Sequence, residues 1–284
     1  MKIGIVGLGL LGGSFALGVK SLGEEHHFIG VDINEENAKM ALNLGLVDEI
    51  STFEKCAGEA DLFVLATPVN VIERQMIDAL EHLSNDAILI DLGSTKASFC
   101  RIANDHPKRG RYVSCHPIAG TENSGPDAAF AGLLKHKMMI ICDKNASDDD
   151  ALKTVEDLFK SLDMRLSYMN GDEHDRHIAY VSHLSHISSF ALGLTVLDKE
   201  KDEKSIFAMA GSGFSSTVRL AKSSPAMWAP IFAYNRENVL EALNAYIRQL
   251  EQFRSIIEEN KVDESYDLMQ KANDIRRILM GIDK

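Results

Sequence analysis

Along the first 170 positions, apolar residues come in short runs, separated by longer stretches in which they recur every three or four residues. That alternation predicts buried strands joined by amphipathic helices, the pattern of a parallel sheet covered by helices. The runs lie at 2–6, 28–32, 62–66, 87–91, 112–115 and 138–142, with helical stretches such as 35–44 and 71–83 between them. Ser147 reads as a helix N-cap followed by three aspartates in the first turn, and the helix it starts leads to a further strand at 165–168. From Gly171 onward no strand pattern recurs. Helical periodicity fills 172–197, 205–222, 225–259 and 262–280 and continues to Lys284, with Ser224-Pro225 as a start signal. The expected architecture is α/β, a doubly wound sheet domain over 1–170 followed by an all-helical domain over 171–284.

The first predicted strand runs directly into Gly7-Leu8-Gly9-Leu10-Leu11-Gly12 and then into a helical stretch at 14–20. In a dinucleotide site the first glycine of such a loop permits the tight turn, the second lets backbone approach a pyrophosphate, and the third lets helix and strand pack closely. The helix start, at Leu10 and Leu11, supplies N–H donors and a positive dipole end. A bare glycine pattern of this kind also occurs in purely structural turns. Here the second predicted strand ends at Asp32, 20 residues after Gly12, where a carboxylate can accept from ribose hydroxyls and repel a 2′-phosphate. The expected cofactor is therefore NAD, held by Gly7, Gly9, Leu10, Leu11, Gly12 and Asp32, in preference to NADP.

Charge and composition narrow the partners. A net charge of −12 argues against broad binding to nucleic acid or an acidic membrane, since both are held chiefly by Lys and Arg. Any anionic ligand must meet a local positive site. Cys56, Cys100, Cys115 and Cys142 follow no metal or disulfide spacing and read as buried, neutral thiols of a reducing, cytoplasmic protein. The uncharged run after Lys2 holds six glycines and lacks a cleavage site, which makes it a poor membrane helix or leader.

Three segments carry chemistry. Asp91-Leu92-Gly93-Ser94-Thr95-Lys96 and His116-Pro117-Ile118-Ala119-Gly120-Thr121-Glu122 each follow a predicted strand, where an open sheet exposes its ligand crevice. A dehydrogenase acting on a hydroxyl needs a base beside that oxygen, and His116 suits neutral pH, with Ser94 able to bond either the imidazole or the substrate hydroxyl. The third segment, His174 to Ser189, puts Ser182 and His186 four residues apart on one helix face. His183 and His186 have metal-ligand spacing, but no matching carboxylate completes a site, so no metal is expected. Arg219 sits among small and apolar residues and needs an anionic partner or a route to solvent; its planar fork suits a substrate carboxylate, and a structural salt bridge is the plain alternative. Trp228, the only tryptophan, reads first as packing.

Taken together, Gly7 to Ser14, Gly93-Ser94-Thr95-Lys96, His116 to Glu122, Ser182-His183-Leu184-Ser185-His186 and Phe214 through Trp228 make the chain resemble the prephenate and arogenate dehydrogenases of tyrosine biosynthesis. The resemblance implies a Rossmann-type NAD domain followed by a helical domain that pairs in a homodimer. It implies His116 as the catalytic histidine on the substrate's ring hydroxyl, assisted by Ser94, and Arg219 as the grip on the ring carboxylate. Ser182 and His186 would face the substrate's side-chain end, with Glu122 at the entrance and Trp228 near the site. Ser185 stands where many members have proline, and Ile118 where methionine is frequent. The implied reaction is oxidative decarboxylation of prephenate, with arogenate as the alternative substrate. No mutase or regulatory domain is expected, because the chain opens on the first nucleotide strand and ends with a helix near 280. Two other readings compete. A β-hydroxyacid dehydrogenase would carry a lysine in the long helix at 172–197, which has none. A non-catalytic NAD-binding protein would have no need of Ser94, His116 and Arg219 together.

Overall fold

The computed structural model describes residues 1–203 and 205–282, so the end of the last predicted helix, residues 283–284, lies outside the described residues. The chain forms two compact units, Met1–Arg236 and Glu237–Lys284.

The first unit opens with alternating strands and helices: β1 (Lys2–Val6), α1 (Leu10–Lys20), β2 (His27–Val31), α2 (Glu35–Asn43), β3 (Glu49–Ile50), α3 (Phe53–Glu59), β4 (Leu62–Leu65), α4 (Val69–His82), β5 (Ile88–Asp91) and α5 (Ala97–Asn104). Then come β6 (Tyr112–Pro117), β7 (Met138–Cys142), α6 (Asp149–Ser161) and β8 (Arg165–Met169). The eight strands make one sheet in the order β3-β2-β1-β4-β5-β6-β7-β8. Strands β4, β5 and β6 are buried at every position, as strands covered on both faces must be. Alternate residues feed two separate cores. Leu62 and Val64 pack with Phe15 and Phe159 on one side, and Phe63 and Leu65 pack with Phe99 and Tyr112 on the other.

Two features depart from the expected parallel sheet. Strand β7 runs antiparallel to β6, with His116 opposite Ile140. The connection between them holds only a 3-10 turn, Pro126–Ala128, and antiparallel neighbours need no crossover helix. Strand β3, two residues long, is too short to leave a pattern in the sequence. Strand β6 also continues through Pro117, so His116 belongs to the strand and not to the loop after it. The N-cap of α6 is Asp148, whereas the Ser147 hydroxyl donates to the Tyr112 carbonyl at 2.7 Å.

After β8 the unit is helical: α7 (Gly171–Ile178), a π-helical turn (Ala179–His183), α8 (Leu184–Glu200), α9 (Ser212–Val218), a 3-10 turn (Arg219–Lys222) and α10 (Pro225–Tyr234). The long helix read over 172–197 is therefore interrupted by one wide turn, and the one read over 205–222 is a short helix between two 3-10 turns, Ile206–Met209 and Arg219–Lys222. Ser224 is the N-cap of α10 and Pro225 its first residue, as proline's fixed φ favours. Helix α7 packs on α5, and α10 packs on α4.

The second unit consists of α11 (Arg236–Glu258), α12 (Val262–Ala272) and α13 (Arg276–Ile282), so the two helices read over 225–259 and 262–280 are each divided. On α11 the exposed residues Leu240, Ile247, Leu250 and Ile257 recur at the seven-and-three spacing of a helix-pairing stripe. Among the described residues no helix is long and apolar enough to cross a membrane.

Candidate active site

The strand order reverses between β2-β1 and β4, and the crevice beyond the carboxyl ends of β1 and β4 is where an open α/β sheet takes a ligand. Gly7 turns there with φ +91°, and a side chain on it would meet the Ala66 carbonyl oxygen at 2.7 Å. A Cβ on Gly12 would collide with the Gly7 carbonyl oxygen, so this glycine is required by the loop itself. Gly9 differs: a Cβ there would meet nothing within 4 Å, so no protein atom demands glycine. A glycine at this place leaves the loop open to close approach by a phosphate. Gly9 is the N-cap of α1 and makes no side-chain cap, which leaves the first-turn N–H groups at Leu10 and Leu11 for an anion. Asp32 Oδ2 accepts from Leu8 N at 2.9 Å and Oδ1 from Asn34 N at 2.9 Å. Each oxygen keeps a further lone pair, so the carboxylate is fixed at the loop and still able to receive ribose hydroxyls. These residues fit a dinucleotide without a 2′-phosphate.

His116, near the end of β6, is 8% exposed. Its Nδ1 lies 2.7 Å from Nε2 of His174 on α7, and the His174 Nδ1 lies 2.8 Å from Oδ1 of Asp175. Burial holds the His116 pKa well below 6.5, and the repulsion it would meet from a second charged ring at His174 and from Lys96 adds to the effect. Burial likewise lowers His174, against the pull of Asp175. At neutral pH both rings are uncharged, and Nε2 of His116 is the nitrogen left for a ligand.

Beneath this pair sits a buried charge cluster. Lys96 Nζ donates to Asp91 Oδ1 and, at 2.7 Å, to the carbonyl of Cys115, the residue before His116. The Tyr112 hydroxyl donates to Asp91 Oδ2 at 2.7 Å, and its own pKa is pushed far up by burial and by that carboxylate. A lysine with no exposed surface is tolerable only when paired in this way. The pair ties β5, which leads to Ser94, to β6, which carries His116. Ser94 is half-buried in the loop between β5 and α5, and the Nδ1 partner of His116 is His174, not Ser94. All four cysteines are free and buried, and burial raises each thiol's pKa, that of Cys100 to about 12.

The helical residues gather around Trp228. His186 stacks on its indole with ring centroids 3.5 Å apart, and His183 meets the same ring edge-on at 5.8 Å. His186 Nδ1 bonds the Ser182 carbonyl at 3.0 Å, so the pair expected to share a face is linked through backbone. Trp228 is also part of the core with Ile231, which makes it the packing residue the sequence leads one to expect. Arg219 is half-exposed and pairs with Glu122, 3.1 Å between Nη1 and Oε2. Its charge, after burial, helps to lower the His186 pKa, so the arginine and the stacked imidazole are neighbours. The Ser189 hydroxyl accepts from Ala221 N at 3.0 Å, anchoring the 3-10 turn that holds Arg219 onto α8.

Comparison with known proteins decides the family. Residues 15–168 match the model of the prephenate dehydrogenase nucleotide-binding domain, and residues 170–271 match the model of its dimerization domain. Prephenate dehydrogenase of Bacillus subtilis is 31% identical over 276 residues, covering 96% of this chain and 74% of the relative. The chain belongs to the prephenate dehydrogenase family. Among solved structures, prephenate dehydrogenase from A. aeolicus in complex with hydroxyphenyl propionate and NAD+ superposes with a TM-score of 0.87 at 31% identity, covering 99% of this chain and 98% of that one. Synechocystis arogenate dehydrogenase follows at 0.76 and 29%, covering 97% and 99%.

For a member of this family, two residues beside His116 were given no role by the sequence reading: His174 and Asp175. Their positions signal it only faintly. A histidine and an aspartate in the first turns of a helix that starts at the domain boundary look like solvated helix-start residues, yet both are buried. Asn235 was missed as well; its Nδ2 donates to the Asp175 carbonyl at 2.6 Å and lies 3.2 Å from His183 Nδ1.

Proposed function

We propose that this chain catalyses NAD-dependent oxidative decarboxylation of prephenate to 4-hydroxyphenylpyruvate. The observation that carries the reading is His116: a neutral, buried imidazole near the carboxyl end of a central strand, with one ring nitrogen engaged by protein and the other left to act as a base. NAD, when bound along Gly7, Gly9, Leu10, Leu11, Gly12 and Asp32, supplies the hydride acceptor. The chain's own residues do the rest. His116 Nε2 accepts the proton of the ring hydroxyl as the carbon bearing it is oxidised, so that carbon becomes a carbonyl and carries no positive charge. Loss of carbon dioxide from the opposite ring carbon makes the ring aromatic and leaves a phenolate, to which the imidazolium returns the same proton. Ser94 assists by bonding the hydroxyl oxygen. Arg219 holds the ring carboxylate with its fork, and a substrate carboxylate can displace Glu122 because an exposed ion pair is weak. Ser182, His186 and Trp228 line the side-chain end, with Glu122 at the entrance.

Support for the functional division at residue 170 comes from the start of the strand-free helical region at Gly171 and from the two family models, which meet at 168 and 170. We assign 1–170 to NAD binding and 171–284 to substrate binding and pairing in a homodimer. The match to a dimerization domain and the apolar stripe on α11 support the pairing. Four free, buried thiols suit a reducing compartment, and we assign the enzyme to the cytoplasm.

Arogenate is the second substrate reading, carried by the likeness to an arogenate dehydrogenase. The test is NADH formation by the purified protein with NAD, offered prephenate and arogenate separately, with NADP as control. Turnover of prephenate with NAD is expected, and His116→Asn should lower it on the order of 10²-fold or more while leaving NAD affinity intact. Silence with both substrates despite NAD binding would overturn the reading.

A further inference from the structure

We propose that His174 and Asp175 are positioning residues that fix which ring nitrogen of His116 carries the proton. The inference rests on His116 being the base, and it adds two residues to the machinery that makes it one. Asp175 Oδ1 accepts from Lys96 N at 2.7 Å, and Oδ2 accepts from Ala97 N at 3.0 Å, so the side chain is anchored to the start of α5. Its main-chain carbonyl is held by Asn235. An ionised carboxylate can only accept, so the His174 Nδ1 that lies 2.8 Å from Oδ1 must be the protonated nitrogen. In a neutral imidazole the other nitrogen is then an acceptor, so His174 Nε2 presents a lone pair. The His116 Nδ1, 2.7 Å away, must donate to it.

A chain of three forced choices thus leaves His116 Nε2 unprotonated. Reversing it would set two lone pairs against each other at Asp175 or at the His–His contact. Burial, which keeps His174 uncharged, removes the remaining alternative of a doubly protonated ring. Without His174 the His116 ring is free to adopt the other tautomer, with its proton on the nitrogen that must receive the substrate's. Holding a base in the wrong tautomer is worth up to about 10⁴ in turnover where the partner is a buried carboxylate. The Asp175 anchor also sets the beginning of α5, three residues after Ser94, so one aspartate aligns both chemistry-bearing segments.

Two variants separate positioning from folding. His174→Phe keeps the ring's volume and removes the acceptor, whereas His174→Gln keeps an oxygen that can accept from Nδ1–H. We expect the Phe variant to lose turnover on the order of 10²-fold or more, with the Michaelis constants for NAD and prephenate little changed, and the Gln variant to recover most of that loss. Nitrogen-15 NMR of the imidazoles reads the tautomer directly in the resting enzyme. Nδ1–H is expected at His116 in the natural protein and in the Gln variant, and Nε2–H as a major form in the Phe variant. A ring that keeps Nδ1–H in the Phe variant would overturn the positioning role while leaving His116 as the base. A tautomer that changes while turnover does not would overturn it differently, by removing His116 from the chemistry. Equal losses in both variants, with raised Michaelis constants, would reduce His174 to a packing residue.

Discussion

The imidazole of His186 lies nearly flat against the indole of Trp228, 3.5 Å between ring centroids and 24° between planes. The same indole packs into the core beneath α10 and receives the edge of His183. A single side chain therefore supports both the core and the His186 ring that we assign to the substrate's side-chain end. Trp228→Ala should destabilise the protein by about 3–5 kcal/mol, the cost of a cavity where an aromatic was removed. Trp228→Phe should keep most of the stability and lose affinity for substrate, because the smaller ring supports His186 less well. Denaturant midpoints and Michaelis constants measured on both variants check this; equal midpoints for Ala and Phe would remove the packing role.

Four histidines in this region, His116, His174, His183 and His186, have pKa values lowered by burial, that of His183 to about 4. An unfolded chain takes up these protons near pH 6.5, whereas the folded one resists them. The sign follows: the contribution to stability is complete above pH 6.5 and is lost as pH falls toward the folded values. For His183 alone this is on the order of 3 kcal/mol. The acid limb of kcat/KM should likewise lie below pH 6.5 if His116 is the base as proposed, since it stays neutral to lower pH than a free imidazole. Unfolding free energies at pH 5 and pH 7, and a pH–rate profile, test both statements.

Lys96 and Asp91 form an ion pair with no exposed surface on either side. Lys96→Met leaves the carboxylate in the core with, among the described residues, the Tyr112 hydroxyl and Gly93 N as donors. The expected cost is about 3–5 kcal/mol, the penalty of a buried charge that has lost its partner. Replacing both residues with apolar ones of similar volume should recover much of that stability but not the activity, because the bond from Lys96 to the Cys115 carbonyl holds the strand at His116. Thermal unfolding of the single and double variants separates the two effects.

What could be read in advance followed from how local each signal is. The glycine loop, Asp32 and seven of the eight strands are set by neighbours in sequence, so apolar runs and turn residues disclosed them. The direction of β7 depends on what lies in the connection at 118–137, and the π-helical turn at Ala179–His183 adds less than one residue to a helical turn, too little to break the apolar period. Partnerships across long separations left no trace. His116 meets His174 from 58 residues away, and Asp175 reaches back 79 residues to Lys96. Only folding reveals that the helix-start residues His174 and Asp175 face inward to the strand end, while His177 on the same helix faces solvent.

Arg219 and Glu122 pair across 97 residues of sequence, at half-exposed positions. The carboxyl of Glu122 is held below the usual range first by its own backbone N–H and then by the arginine. Such an exposed pair, screened by solvent, contributes little to folding, so Arg219→Ala should leave the unfolding midpoint nearly unchanged. The role we propose for Arg219 is in binding. If the guanidinium grips the substrate carboxylate equally in the ground and transition states, the variant raises the Michaelis constant for prephenate much more than it lowers kcat. Glu122 competes for the same fork, and Glu122→Gln should lower the Michaelis constant at low ionic strength, an advantage that shrinks as salt screens the arginine. Steady-state kinetics of both variants across a salt series decide the matter. A Michaelis constant that is unmoved in Arg219→Ala would leave the arginine a surface ion pair and nothing more.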